Sequence, residues 1–209
     1  MMHHLVDQGL LDLDGPVANY WPEFAQAGKE TLPVRYLLSH QAGLPAISEP
    51  LPRGSAFHWE VMTDALSKQE PWWEPGTKHG YHDSGRERQR QRPRGRAAIH
   101  PLARGGELDG VRVLSPEAIE RATVEQATGP DEVMGLNLRP ALGFVLTSPD
   151  AQLGPNPRAF GHSGAGGSLG FADSDAKVGF GYAMNRMIQD NTLTDPRWPP
   201  LINAVYTSL

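Results

Sequence analysis

The first third of the chain alternates short apolar segments with turns that contain proline and glycine. Residues 31–43 fit a helix that Thr31 caps, with Pro33 in its first turn and an end by Gly43. Its expected inward residues are Val34, Leu37 and Leu38. A second amphipathic stretch, residues 57–69, places four apolar residues on one stripe: Trp59, Met62, Ala65 and Leu66. The pattern predicts short core-forming helices here.

The second half carries one clear helix start and a series of strand-like runs. Ser115-Pro116-Glu117 combines an N-cap serine, a proline at the first helical position and an acid in the first turn. Apolar runs rich in strand formers follow at residues 142–147, 159–162, 167–172 and 177–184. The polar residues 173–176 predict a hairpin between the last two, and residues 199–209 fit a closing helix. Helices followed by antiparallel strands predict an α+β fold rather than a doubly wound sheet.

Composition agrees with one globular domain that stays in the cytoplasm. The chain has 209 residues, of which 39% are hydrophobic and 21% charged, and no cysteine. No apolar run is long enough for a membrane span, and residues 1–4 do not resemble a signal peptide. Without cysteine, disulfides and thiol nucleophiles are excluded, so hydrolytic chemistry would use oxygen, nitrogen or a His/carboxylate metal site. Nothing in the composition indicates an oligomeric state.

The charge is concentrated in one segment. The net charge is −5, yet residues 86–96 contain six arginines and one glutamate, which leaves −10 for the rest of the chain. Residues 84–101 therefore read as an Arg-rich insert, predicted to be disordered because it offers almost nothing to bury. No aromatic residue lies between these arginines to stack on bases, so we expect no nucleic-acid partner.

Five separated phrases occur in one order along the chain. Three of them are residues 37–45, 75–83 and 161–164, which read LLSHQAGLP, PGTKHGYHD and GHSG. The other two are LVDQGLLDL at residues 5–13 and GGELDGVRVLSP at residues 105–116. Together they resemble the β-lactamase-related serine hydrolases, the family of class C β-lactamases, DD-peptidases and esterases of the same fold. The resemblance spans roughly residues 5–83 and 102–188, and the last two phrases are closest to its esterase-like branch.

The resemblance implies a β-lactamase/DD-peptidase-like antiparallel sheet flanked by helices, and acyl transfer from a small ester or amide to serine and then to water without a cofactor. Tyr81 would be the base and later the acid, and Asp83 stands where the family has asparagine. His162-Ser163-Gly164 would replace Lys-Thr-Gly on an edge strand that faces the substrate, with the N–H of Ala165 as oxyanion donor. A buried ring with a bonded hydroxyl is the alternative interpretation of Tyr81.

The family's Ser-x-x-Lys element precedes the LVDQGLLDL phrase, whereas here only residues 1–4 do. We therefore expect a single abbreviated domain over residues 1–209, without the nucleophile segment and part of the middle, and with little or no activity. Ser174 to Lys177 matches Ser-x-x-Lys literally but falls at the predicted hairpin. Residues 166–170 match Gly-x-Ser-x-Gly, an elbow that requires a following helix, whereas strand-like sequence follows.

Two other classes of function remain open from the sequence. A metal-dependent hydrolase would use His79, His82 and Asp83, completed by His100 or His162. A non-catalytic binding or remnant protein would keep a pocket lined by Tyr81 and His162 without forming an acyl-enzyme.

Overall fold

The computed structural model describes residues 1–82, 94–164, 166–188 and 195–209, with the backbone alone for residues 94–98. These residues form two compact units. The sheet unit comprises Met1–Leu10, Arg90–Gly129 and Asn137–Leu209, and the helical unit comprises Leu11–Gln89 and Pro130–Leu136. Each unit is described by itself below.

The described residues contain six α-helices and seven β-strands. The helices are α1 (Met2–Asp7), α2 (Val34–Leu38), α3 (Trp59–Lys68), α4 (Arg94–Ala103), α5 (Pro116–Ala122) and α6 (Trp198–Thr207). The strands are β1 (Glu107–Leu108), β2 (Val111–Arg112), β3 (Arg139–Pro140), β4 (Val145–Leu146), β5 (Phe160–Gly164), β6 (Ser168–Asp173) and β7 (Val178–Tyr182). No helix in these described ranges is long and apolar enough to cross a membrane.

An antiparallel sheet in the order β3-β4-β5-β6-β7 organises the sheet unit. Leu169 and Phe171 of β6 are buried in one apolar cluster with Trp198 and Ile202 of α6. Because side chains alternate along a strand, Ala172 lies on the other face, in a cluster that includes Leu102 at the end of α4. The α+β architecture predicted from the sequence is therefore confirmed, with helices on both faces of the sheet.

Glycines on β6 and β7 let α4 lie close to the sheet. A Cβ at Gly179 would lie 2.8 Å from the Cα of His100, and one at Gly170 would lie 3.3 Å from the side chain of Ile99. The first distance is shorter than a normal contact between carbon atoms, so a side chain at Gly179 would push the helix away. His100 is thus a residue of the helix–sheet contact.

The strand and helix predictions for the second half are confirmed, with bounds that differ by a few residues. Each of the four predicted runs overlaps one strand, and residues 174–177 form the turn between β6 and β7. Ser115 caps α5 by accepting a hydrogen bond from the N–H of Ala118 at 3.0 Å. The local cap and turn chemistry was sufficient for these elements.

Several predictions for the first half are wrong in detail. Thr31 does not cap α2, which follows Pro33 without a side-chain cap. Leu37 is 38% exposed and Trp59 is 81% exposed, so neither faces the core that the stripe predicted. Residues 94–101 of the segment predicted to be disordered lie in α4, where the helix adds contacts to the sheet that composition alone does not show. The rest of that segment, before residue 94, lies outside the described residues.

A buried lysine connects two parts of the helical unit. Lys29 is fully buried, and its Nζ donates to the carbonyl oxygens of Gln26 at 2.8 Å and Gln69 at 2.7 Å. The ammonium group also lies 5.0 Å from the ring centroid of Phe24. Burial lowers the pKa of Lys29, and these partners compensate part of the loss of hydration.

A buried carboxylate ties the β6–β7 hairpin to α6. Asp173, 1% exposed, accepts hydrogen bonds from the hydroxyl of Tyr206 at 2.7 Å, Nδ2 of Asn156 at 2.8 Å and the backbone N–H groups of Asp175 and Ala176. Burial alone would raise the pKa of Asp173, but these four donors together hold it below its ordinary value.

We expect Tyr206→Phe to lower the free energy of unfolding by about 1.5–3 kcal/mol at neutral pH, because it removes one donor to a buried carboxylate. The contribution of Asp173 is complete above its unfolded pKa of about 3.9 and is lost as the pH falls through its lower folded pKa. The deficit should therefore shrink in acid. Urea unfolding at several pH values measures this loss in the free energy of unfolding. Tyr20→Phe is the control, because Tyr20 is 48% exposed. Equal losses in the two variants would contradict the prediction.

Candidate active site

The loop that carries Tyr81 runs beside residues 40–43 in the helical unit. The N–H of Gly80 donates to the carbonyl of His40 at 3.0 Å, and the N–H of Gly76 donates to that of Gln41 at 3.0 Å. Gly43 has a φ of +72°, and a Cβ there would lie 2.7 Å from the carbonyl oxygen of Trp73. Two of the phrases singled out in the sequence, residues 37–45 and 75–83, are thus paired backbone to backbone.

The ring of His40 lies between those of Tyr81 and His82 in a series of edge-on contacts. The ring of His40 lies 4.9 Å from the ring of Tyr81 at an interplanar angle of 63°, and 4.9 Å from the ring of His82 at 87°. Nδ1 of His82 lies 2.8 Å from the carbonyl oxygen of Gly80, which fixes that ring against its own loop. Tyr81 is partly buried.

A buried aspartate that the sequence analysis did not identify holds the backbone of Tyr81. Oδ2 of Asp131 accepts the N–H of Tyr81 at 2.6 Å, and its Oδ1 accepts the N–H groups of Val133 at 2.9 Å and Met134 at 2.8 Å. The carboxylate is fully buried, with Nε2 of His79 at 3.9 Å. Gly-Pro before Asp131 signals a turn, but a contact across 50 residues leaves no sequence pattern.

The other predicted site residues lie on β5 in the sheet unit. His162, Ser163 and Gly164 pair with Gly170, Leu169 and Ser168 of β6. The sequence predicted an edge strand here, and this prediction is wrong. β4 pairs with Phe160 and Gly161, so β5 lies inside the sheet. Among the described residues, the ladder between β4 and β5 ends at Gly161, so it does not include His162 to Gly164.

A small recess of the sheet unit includes two of these residues. His162 and Ser163 line it together with Val145, Leu153 and Trp198. Nδ1 of His162 lies within hydrogen-bond distance of the carbonyl oxygen of Ser163. The recess has a volume of about 10 Å³, room for about one water molecule, so it is a contact of these side chains rather than a ligand pocket by itself.

Two predicted site residues, Asp83 and Ala165, lie outside the described residues. Tyr81 lies in the helical unit, and His162, Ser163 and Gly164 lie in the sheet unit. Within the described part of the chain, no group of three or more His, Asp or Glu side chains is arranged to hold a metal ion. The structure therefore offers no support for the metal site considered from the sequence.

The alternative serine motifs lie in unsuitable elements. Ser174 and Lys177 both belong to the turn between β6 and β7, so no helix presents them on one face. Ser168 begins β6, and a strand rather than a helix follows it, which is incompatible with a nucleophile elbow.

The comparison with protein families decides the ancestry. Two segments of the chain, residues 1–87 and 86–198, match the profile of the family described as Beta-lactamase. The chain belongs to this family. The resemblance stated from five short phrases is thereby confirmed.

Individual relatives agree with this assignment. The chain is similar to the esterase/beta-lactamase LipL of Mycobacterium tuberculosis, with 26% identity over 296 positions that cover 93% of this chain and 68% of LipL. A crystal structure of a family VIII carboxylesterase is 31% identical, with a TM-score of 0.86, and a penicillin-binding protein homologue from Caulobacter crescentus is 27% identical, with a TM-score of 0.89. Both alignments cover 99% of this chain and 79% of the solved structure.

We expect Asp131→Asn to destabilise the Tyr81 loop, because the amide keeps the shape of the carboxylate but loses its charge and half of its acceptors. The free energy of unfolding should fall by about 1–3 kcal/mol, measured in urea. The control is Asp150→Asn, since Asp150 accepts hydrogen bonds from Asn137 on an exposed surface. A loss no larger than that of the control would show that Asp131 does not support this loop.

Proposed function

We propose that this chain carries the acyl-binding scaffold of an esterase-type serine hydrolase and has little or no turnover of its own. The carrying observation concerns serine. Ser-x-x-Lys occurs once in the 209 residues, at Ser174 to Lys177, and that match lies in a hairpin turn. His162-Ser163-Gly164, to which we assign the Lys-Thr-Gly role, lies on β5 beyond the residues that pair with β4.

Relatives favour esters as the substrate class. The family VIII carboxylesterase and LipL, which is named as both esterase and β-lactamase, are similar over almost the whole chain. We infer that the ligand is a small ester or amide whose acyl carbonyl lies beside the backbone after Gly164. In an active relative, donors at this place stabilise the oxyanion of the tetrahedral intermediate.

Tyr81 is the proposed proton-transfer residue, and Asp83 limits it. A serine hydroxyl needs a base close to it, and a phenolate serves when neighbouring cations stabilise its charge. Asp83 replaces the family's asparagine, and an ionised carboxylate accepts hydrogen bonds without donating any. Its negative charge would disfavour a tyrosinate nearby, which is a second reason to expect weak turnover.

We also propose that an internal segment of the family fold is missing. The two family matches meet at residues 86–87, where the arginines of the Arg-rich insert begin. The alignment with LipL extends over 296 positions, more than the 209 residues of this chain, so LipL contains residues without a counterpart here. Both observations support a chain in which two parts of the family domain are joined at the Arg-rich insert.

The first test is the intact mass of the folded protein after treatment with a fluorophosphonate serine probe. We expect no stoichiometric adduct and no measurable hydrolysis of p-nitrophenyl butyrate or of a chromogenic cephalosporin. A family member with its Ser-x-x-Lys element serves as the positive control. A stoichiometric adduct on this chain would overturn the proposal, and mapping would then begin with Ser163, Ser168 and Ser174.

Binding is tested separately with Tyr81→Phe, which removes only the hydroxyl. We expect weaker binding of a non-hydrolysable ester analogue, measured by calorimetry, with a change in Tm of no more than about 2 °C. Tyr36→Phe is the control, because it removes a phenol hydroxyl from another tyrosine of the helical unit. A large fall in Tm with unchanged binding would favour the buried-ring interpretation of Tyr81.

A further inference from the structure

We infer that Asp195, Arg197 and Trp198 form a clamp that fixes the turn between β5 and β6, and that they act as positioning residues for His162-Ser163-Gly164. The role of β5 in this inference rests on the proposed function. The clamp itself rests on contacts inside the sheet unit.

Arg197 contacts three separate parts of the chain. Its guanidinium donates to the carbonyl of Arg186 at 3.0 Å and, more weakly, to that of Gly166 at 3.4 Å. It also lies 5.6 Å from the ring centroid of Tyr182 on β7. One side chain thus joins the turn after β5 to the strand and loop that follow β6.

Asp195 orients this guanidinium. Its carboxylate, 3% exposed, accepts Nε of Arg197 at 2.7 Å and also bonds Nη2, a bidentate geometry. The backbone N–H of Arg197 donates to the same carboxylate at 2.9 Å. Arg197 holds the pKa of Asp195 below its ordinary value, so the pair is ionised at neutral pH.

Gly167 is the point where the turn meets the clamp. A methyl group at Gly167, which has a φ of +108°, would overlap both the carboxylate of Asp195 and Nη2 of Arg197. The indole N–H of Trp198 donates to the carbonyl oxygen of Gly167 at 2.9 Å, and this bond is buried. Gly167 is therefore fixed by its close contact with the Asp195–Arg197 ion pair and by the hydrogen bond from Trp198.

The clamp reaches the proposed site through two short connections. The N–H of Gly167 donates to the carbonyl of Gly164 at 3.0 Å, which closes the turn directly after the site element. The ring of Trp198 lines the recess that contains His162 and Ser163. Displacement of the clamp would therefore change both the backbone after Ser163 and the wall beside it.

A thiol placed in the site measures this coupling. The chain has no cysteine, so Ser163→Cys introduces a single reporter whose reaction with Ellman's reagent follows the local opening of the site. We expect Arg197→Lys in this background to raise the reaction rate about threefold or more, because lysine keeps the charge but loses the planar fork. Gly167→Ala should also raise the reaction rate, because its methyl group would displace the Asp195–Arg197 pair.

The matched controls lie in the same unit. Arg139 is 32% exposed against 27% for Arg197, pairs with Glu125, and also donates to two backbone carbonyls, those of Thr147 and Pro157. Gly154 has a φ of +140°, and a Cβ there would lie 2.8 Å from the hydroxyl of Tyr206. Arg139→Lys and Gly154→Ala should lower Tm by similar amounts and leave the thiol rate unchanged.

Equal thiol rates in the Arg197→Lys and Arg139→Lys backgrounds would overturn the clamp. So would a rate unchanged by Gly167→Ala. The thiol reaction does not require ester turnover, so a failed serine-probe prediction and a failed clamp are separate results. Trp198→Phe completes the test, because it removes the indole N–H that bonds Gly167 together with part of the ring beside Ser163, and an unchanged thiol rate would show that Trp198 does not contribute.

Discussion

The alternation of side chains along β6 is the constraint on which the sheet unit depends. Leu169 and Phe171 fill one face beneath α6, while Gly170 and Ala172 leave room for α4 on the other. A register shift of one residue would turn the two large side chains toward α4 and leave α6 without its core. The strand that pairs with β6 in this register is β5, so the same constraint fixes where His162 and Ser163 lie.

The two units hold their candidate residues by different physics. In the helical unit, a buried carboxylate collects backbone N–H groups, and Tyr81 is positioned through its main chain. In the sheet unit, strand pairing fixes His162 to Gly164 up to the end of β5, and an ion pair with an indole continues that order into the turn. In both units this support acts on the main chain of the candidate residues.

Local signals were enough to predict the elements whose residues decide their own conformation. Ser115 satisfies an N–H three residues away, and the β6–β7 turn is formed by polar residues adjacent in sequence. Trp59 was misplaced because an amphipathic stripe predicts a buried face, whereas which part of that stripe meets the core depends on distant packing. Asp131 and Arg197 escaped prediction for the same reason, since their bonds reach Tyr81 and Gly166 across 50 and 31 residues.

The described contacts that fix the turn after β5 do not involve a catalytic nucleophile. The loss of a nucleophile therefore leaves these contacts in place. The contacts described for Gly164, Gly166 and Gly167 include pairing with β6, a bond within the turn, and bonds from the loop after β7 and from residues 195–198. Catalysis by this family's chemistry needs serine, base and oxyanion donors together, and the loss of one member removes most of the rate acceleration. Binding has a weaker requirement, since it needs neither the nucleophile nor the base. Weak turnover and retained recognition of an acyl group are therefore compatible, as the proposed function requires.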